Sequence, residues 1–152
     1  MGFPRSNGAL VDTDYAQGTR VVEGVNEYVT AKAHGTLAVG DVVVISYDED
    51  GPETAAAATS NVYQQVGVVC TAATVGLEVL LQTRGFAKAY VEGTTDVAAG
   101  DFLEVLNGEN ELKKDGSRSA NSVAVAVDAQ AENKNVLSTV FMLGERALIA
   151  AS

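Results

Sequence analysis

Apolar residues in this chain fall in short runs rather than at helical spacing: "NEYVTAKA", "DVVVISY", "QQVGVVCTA", "LEVLLQTRG", "FAKAYVE", "DFLEVLN", "SVAVAVDA" and "VLSTVFML". They are rich in β-branched residues and separated by Gly, Asn, Asp or Thr clusters, the pattern of strands in an all-β sandwich or barrel. In "SVAVAVDA", Val123, Val125 and Val127 point to one side and Ala124 and Ala126 to the other. The alanine side either admits a close neighbouring subunit or fills the narrow part of a barrel. "GPETAAAATS" has helical composition after Pro52 but is too short for a stable helix, and reads as a loop with one turn.

The turns are chemically specified. Asn107-Gly108, between Leu106 and Leu112, is the pair that favours a type I′ hairpin, because both residues tolerate positive φ. Lys113 to Asn121 has no apolar anchor and reads as a mobile loop.

One cadence occurs twice. "AVGDVVVIS" begins at Ala38 and "AAGDFLEVL" at Ala98, so that Gly40 and Gly100 lie 100 − 40 = 60 positions apart. Further on, "VGVVCTAA" precedes "LEVLLQTRG" much as "VAVAVDAQA" precedes "NVLSTVFMLG", with Val79 and Val136 separated by 136 − 79 = 57. A unit of about sixty residues is therefore present twice. Its Gly-Asp step suits strand entry: Gly turns the chain at positive φ, and Asp41 or Asp101 accepts local backbone N–H groups before the strand begins.

Length and composition fit one domain with its own core: 152 residues, 47% hydrophobic, but only 6% aromatic and without Trp. Ten basic against twenty acidic side chains leave −10, which repels phosphate backbones and anionic lipid, so neither nucleic acid nor membrane is an expected partner. The start "MGFPRSNGAL" has no apolar leader, so the expected product is a soluble protein made in the cytoplasm. The single cysteine, Cys70, lies in an apolar run and reads as a small buried hydrophobe.

Catalytic readings find little support. His34, the only histidine, sits in "KAHGTL" as a surface or turn residue with no nucleophile and carboxylate arranged around it. Asp48, Glu49 and Asp50 lack the alternating ligand spacing of a Ca²⁺ loop, and "GTTDVAAGD" matches no phosphate-binding loop. Asp41 and Asp101 occupy identical contexts that need only a turn. No catalytic residue, cofactor or metal ligand is assigned, and the chain is not expected to be an enzyme.

The residues from Thr30 to Leu143, with the repeated A-x-G-D strand entry, "VGVV", "GLEVLLQTRG" and the closing "VLSTVFML", resemble the capsid cement or head decoration proteins of tailed bacteriophages. The resemblance implies a small β-barrel or β-sandwich of β-tulip type, a homotrimer on the outer capsid surface of the virion, and the major capsid protein as partner. Residues 1–25 precede the repeat, and within them residues 1–20 carry Arg5 and Arg20 against Asp12 and Asp14, so that part is neutral beside the acidic remainder. They are expected to form an extended N-terminal arm ahead of a 26–152 body, with Phe3, Arg5, Tyr15 and Arg20 touching a neighbouring subunit or the capsid. The competing classes are an enzyme-associated β-domain, which needs a cleft with convergent polar groups, and a carbohydrate-binding module, which needs exposed aromatics.

Overall fold

The structure, a computed structural model, describes residues 20–48, 51–55, 63–92, 95–106, 108–131 and 136–149. Phe3, Arg5, Tyr15, Glu49, Asp50, Asn107 and the alanines of 56–58 lie outside them. Among the described residues there is no helix; the strands are β1 (Arg20–Glu23), β2 (Asn26–Lys32), β3 (Val42–Asp48), β4 (Gly51–Ala55), β5 (Tyr63–Val69), β6 (Glu78–Val91), β7 (Phe102–Val105), β8 (Leu112–Asp115), β9 (Ser122–Ala126), β10 (Val136–Leu143) and β11 (Ala147–Leu148). The chain is all-β and barrel-like, as its alternation predicts.

Strand pairing runs β1-β2-β4-β3-β5-β6-β10-β9-β7-β8, with additional β2–β6 and β6–β8 pairings. These two pairings close the sheet into a pair of five-strand rings, β2-β4-β3-β5-β6 and β6-β10-β9-β7-β8, that share β6. The signs match position by position. The parallel pair is β2–β4 in one ring and β6–β8 in the other, and the remaining pairs are antiparallel. The sixty-residue repeat is thus a duplicated ring. Val69 pairs with Leu81 and Ala126 with Val140, so the closing strands are 140 − 81 = 59 positions apart rather than 57. The two-residue difference preserves which face points inward.

Four boundaries differ from the pattern reading. "LEVLLQTRG" and "FAKAYVE" are one continuous strand, β6, of 14 residues, whose first half pairs with β2 and β5 and whose second half pairs with β10. The exchange of partners occurs at Gly85, where φ is +96° and a Cβ would strike Asn26; Asn26 Oδ1 accepts the Phe86 N–H at 3.1 Å. Gly51–Ala55 is a strand, not a loop, because β3 offers it a partner edge from Val44 to Asp48. Lys113–Asp115 belongs to β8, so the irregular stretch begins only at Gly116. Finally, Val105 pairs with Leu112, and the turn in which Glu109 N–H bonds Leu106 C=O at 3.1 Å, with Gly108 at φ +81°, lies inside a longer connection than a two-residue hairpin.

The two core clusters explain a difference between the two strand entries. Val43 and Ile45 face the interior of the first ring with Val29, Ala31, Val69, Val79 and Leu81. Val42 and Val44, on the other side of β3, join Val66 and Val68 of β5 in the cluster that contains the interior of the second ring, Leu103, Val105, Val140 and Met142. Strands buried on both faces read as continuous apolar runs, hence "DVVVIS"; β7 is buried on one face only, hence the alternation in "DFLEV". Ala124 and Ala126 are buried inside the second ring with Ala87 and Ala89. The alanine face of β9 is therefore barrel filling and not a subunit contact.

The units also meet through their turns. Tyr90 N–H donates to Gly40 C=O at 2.9 Å, and a Cβ on Gly40 would run into the Leu137 side chain. Val42 N–H bonds Asn110 C=O at 2.9 Å. Gly100, in the same conformation at φ +92°, has open space where its Cβ would be.

Gly100→Ala is expected to cost about 1–2 kcal/mol through positive φ alone, and Gly40→Ala a further roughly 1–3 kcal/mol through overpacking against Leu137. Thermal melts of the two variants check this, and equal losses would show that the first turn is not wedged between the rings.

Candidate functional site

The Gly-Asp turns are built identically. Asp41 Oδ2 accepts the Ala38 N–H and Asp101 Oδ2 the Ala98 N–H, both at 2.8 Å. Each aspartate N–H returns to the carbonyl of that alanine at 3.1 Å. Gly40 N–H bonds Val69 C=O, and Gly100 N–H bonds Ala126 C=O, locking each turn to the ring's central strand. The two carboxylates open different strands and are occupied by their own backbones, so the structure does not pair them for acid–base work. Asp101 has one addition: Lys114 Nζ lies 2.8 Å from its Oδ2. That hydrogen bond, followed by the Ala98 amide, holds the Asp101 carboxyl below the usual range. By pairing register Ala55, opposite Val44, corresponds to Lys113, opposite Glu104, so the first-ring counterpart of Lys114 is Ala56, outside the described residues.

The other residues singled out by sequence are dispersed. His34 is exposed at a bend, where its Nδ1 meets Thr54 Oγ1 at 2.8 Å and its backbone N–H donates to the same oxygen at 3.0 Å. Cys70 follows β5, its Sγ 3.6 Å from the Val68 carbonyl, and burial pushes the thiol up to about 12. Arg20 begins β1 and pairs within the chain, 2.6 Å from Glu27 Oε1; residues 20–23 are thus a strand of the sheet rather than free arm. Among the described residues no group of three or more His, Cys, Asp or Glu side chains is placed to hold a metal ion, and no helix is long and apolar enough to cross a membrane.

Two features escape a reading of the sequence. The first is a row across the outside of the second ring. Phe86 lies opposite Phe141, Phe141 opposite Val125, and Val125 opposite Phe102. The inward positions beside them are Ala87, Val140, Ala124 and Leu103, all buried, so the row faces out. Phe86 is 55% exposed, its ring meets Phe141 edge-on at 5.0 Å, and the Arg118 guanidinium caps Phe102 at 5.9 Å. No periodicity reveals this row, because its members come from four strands and only the register aligns them. The second feature is a cavity of about 160 Å³ lined by Glu92, Leu106, Glu109, Glu111 and Lys113. Burial, then Glu109, then Glu92 push the Glu111 carboxyl up, and among the described residues the buried Oε2 of Glu92 has no hydrogen-bond partner.

Two measurements check these environments. With its thiol near 12, Cys70 is expected to alkylate at pH 8 at least about a hundredfold more slowly in the native protein than in urea; equal rates would mean that β5 opens freely there. A carboxyl held low when folded adds stability above its unfolded value near 3.9 and loses it as pH falls through the folded one. Lys114→Met should therefore lose less further stability than wild type between about pH 5 and pH 3, and parallel losses would show that the pair contributes nothing.

No protein-family model matches the chain, and no curated protein matches it. Among solved structures, the chain is similar to the crystal structure of the N base of head fiber gp8.5 in bacteriophage phi29, with 16% sequence identity and a TM-score of 0.55 over 78% of this chain and 95% of that one. At that identity what the two share is the fold.

Proposed function

We propose that the protein is a structural component of a phage head, bound as a homotrimer to the outer surface of the capsid, where it stabilises the junctions between capsomers. The observation that carries the reading is a fold that spans 95% of the base of a phage head fiber. The strand-entry pattern from Thr30 to Leu143, which resembles that of capsid cement proteins, points the same way. The partner is the major capsid protein, the protein works in the virion after synthesis in the host cytoplasm, and its role is contact rather than catalysis.

A lattice component has to present the same surface at every copy. A body closed twice on itself, with each turn hydrogen-bonded to a central strand, meets that need, because its surface residues are held by backbone pairing on both sides. The segment ahead of β1 supplies adaptable contact: Phe3 and Tyr15 enter apolar notches on the capsid, and Arg5 meets carboxylates there, so that interface area offsets the entropy of ordering. Arg20, already paired with Glu27, anchors this segment to the sheet.

Mixing purified protein with undecorated expanded heads, followed by sedimentation and imaging, should show co-pelleting and added density at three-fold positions; protein left wholly in the supernatant would overturn the reading. Deleting residues 1–19, which spares the Arg20–Glu27 pair, should leave the melting temperature nearly unchanged. It should weaken head retention at least about tenfold, equivalent to roughly 1.4 kcal/mol. Equal retention would remove the arm from the mechanism while leaving the body's role intact.

A further inference from the structure

The duplication gives each ring a groove at the same place. In the first ring it measures about 280 Å³, opens beside the Leu37–Ala73 bridge, and is lined by Thr36, Leu37, Ala72, Ala73, Thr74 and Leu77. In the second it measures about 410 Å³ and opens beside the Val97–Gln130 bridge. Leu37 and Val97 lie 97 − 37 = 60 positions apart, and Ala73 and Gln130 lie 130 − 73 = 57, the spacings of the repeat.

The two linings have diverged. In the second groove the polar groups are used within the chain: Lys114 Nζ donates to the Asp96 carbonyl at 3.3 Å and pairs with Asp101, Gln130 Nε2 donates to the Val91 carbonyl at 3.0 Å, and Ser138 Oγ donates to Gln130 Oε1 at 2.9 Å. The sequence after Gln130 is polar, "AENKN". The first groove has no ionisable side chain in its lining, and the sequence after Ala73 is "TVGLE". Val75 and Leu77, at 67% and 59%, are the most exposed large apolar side chains of the described residues. Closing a ring does not require an apolar lip, since the second ring closes with a polar sequence at that place.

What differs beside the two grooves is the chain that leads in. In the second ring β6 takes the place of β2, and the residues before it belong to the first ring. In the first ring residues 1–19 precede β1. β1 runs antiparallel to β2 with Arg20 opposite Val29, so its N-terminal end points toward the last residues of β2. There Ala33 N–H donates to Leu77 C=O and Gly76 N–H to Ala33 C=O, both at 2.8 Å, which ties the end of β2 to the lip of the groove. Leu77 is thus about 13 Å along the sheet from the level of Arg20 and two strand spacings, about 10 Å, across it. β4 takes over that edge of β2 at Lys32, so the chain ahead of Arg20 leaves the edge before it. Val11 and Arg20 are 20 − 11 = 9 residues apart, about 30 Å of extended chain, enough to reach the whole groove. "SNGALV", residues 6–11, is uncharged like the groove and ends on adjacent Leu10 and Val11. The nearest charges stand on the β2 side: Lys32 in register with Glu53 and Glu78, and His34 bonded to Thr54.

We infer that Leu10 and Val11, in the segment ahead of β1, pack on Val75 and Leu77 in the first-ring groove of their own chain. The inference rests on the arm reading above and gives that arm a fulcrum. Two apolar side chains gain little more than the ordering of their segment costs, so the latch is shallow and the stability of the body barely depends on it. Its effect is on reach: a tip of nine residues, with Phe3 and Arg5, is held to one side of the body in place of a free segment of nineteen, which raises its effective concentration at a surface presented there.

The test reads the groove directly, in the full chain. A nitroxide on Ala9→Cys, with Cys70 left unlabelled because its thiol is buried, should broaden the methyl signals of Val75 and Leu77 and leave those of Val97 and Ala131, in the second groove, sharp. Val75→Glu with Leu77→Gln, which gives the lip the polarity of its second-ring counterpart, should abolish the effect on the neighbouring Leu37 and Ala73 methyls with circular dichroism unchanged. In the unlabelled protein, removing residues 1–19 should shift the Val75 and Leu77 methyls and not those of Val97 and Ala131, a readout independent of the cysteine variant. Absence of broadening, broadening that survives the lip variant, or broadening seen only between a nitroxide-bearing copy and a separate isotope-labelled copy would each overturn the inference. Head binding is scored apart from it: a latched arm on a protein that ignores heads refutes the capsid role alone, and head binding without broadening refutes the latch alone.

Discussion

The structure depends on one strand being shared. β6 runs for 14 residues and closes both rings, lending its first half to β2 and β5 and its second to β10. A ring of five short strands encloses little volume, and small domains bury too small a fraction of their surface to be comfortably stable alone. Here the outer faces of β3 and β5 are covered as well, because Val42, Val44, Val66 and Val68 belong to the second ring's cluster. At roughly 1.5–3 kcal/mol for each fully buried valine, this joint is a major part of what keeps the rings together.

Duplication followed by divergence accounts for much of the rest. The backbone kept its plan, down to matched turn hydrogen bonds at Asp41 and Asp101, while the side chains took up separate tasks. The first Gly-Asp turn became buried against Tyr90 and Leu137, whereas the second acquired Lys114. β3 became apolar on both faces and β7 stayed amphipathic, which left Phe102 available on the outside.

The class, the repeat and the strand-entry turns are legible in the sequence because each depends on residues close together in the chain. Gly40 and Asp41 contain what their turn requires, and the alternation at Val123 to Val127 states which residues share a face. What stays hidden depends on partners distant in sequence. Gly85 reads as a break between two strands, and only the presence of Asn26 beside it turns the break into a change of partner within one strand. "GPETA" has a loop's composition and becomes a strand because β3 supplies an edge. The role of the β9 alanines is undecidable from periodicity, since a subunit contact and a narrow barrel interior favour the same small residues. The phenylalanine row is the extreme case, four residues that no window along the chain contains.

The short strand β11 has a consequence for how the molecule comes to be. Ala147 and Leu148 pair with Gln64 and Tyr63 of β5 in the first ring, and Leu148 N–H also bonds Ala120 C=O at 2.7 Å beside the second. Residues made at the end of the described chain therefore add to the edge of β5, a strand made much earlier. Contacts so distant in sequence slow folding, because loop-closure entropy is spent before they form. A chain emerging from the ribosome holds that end of β5 unpaired until β11 arrives.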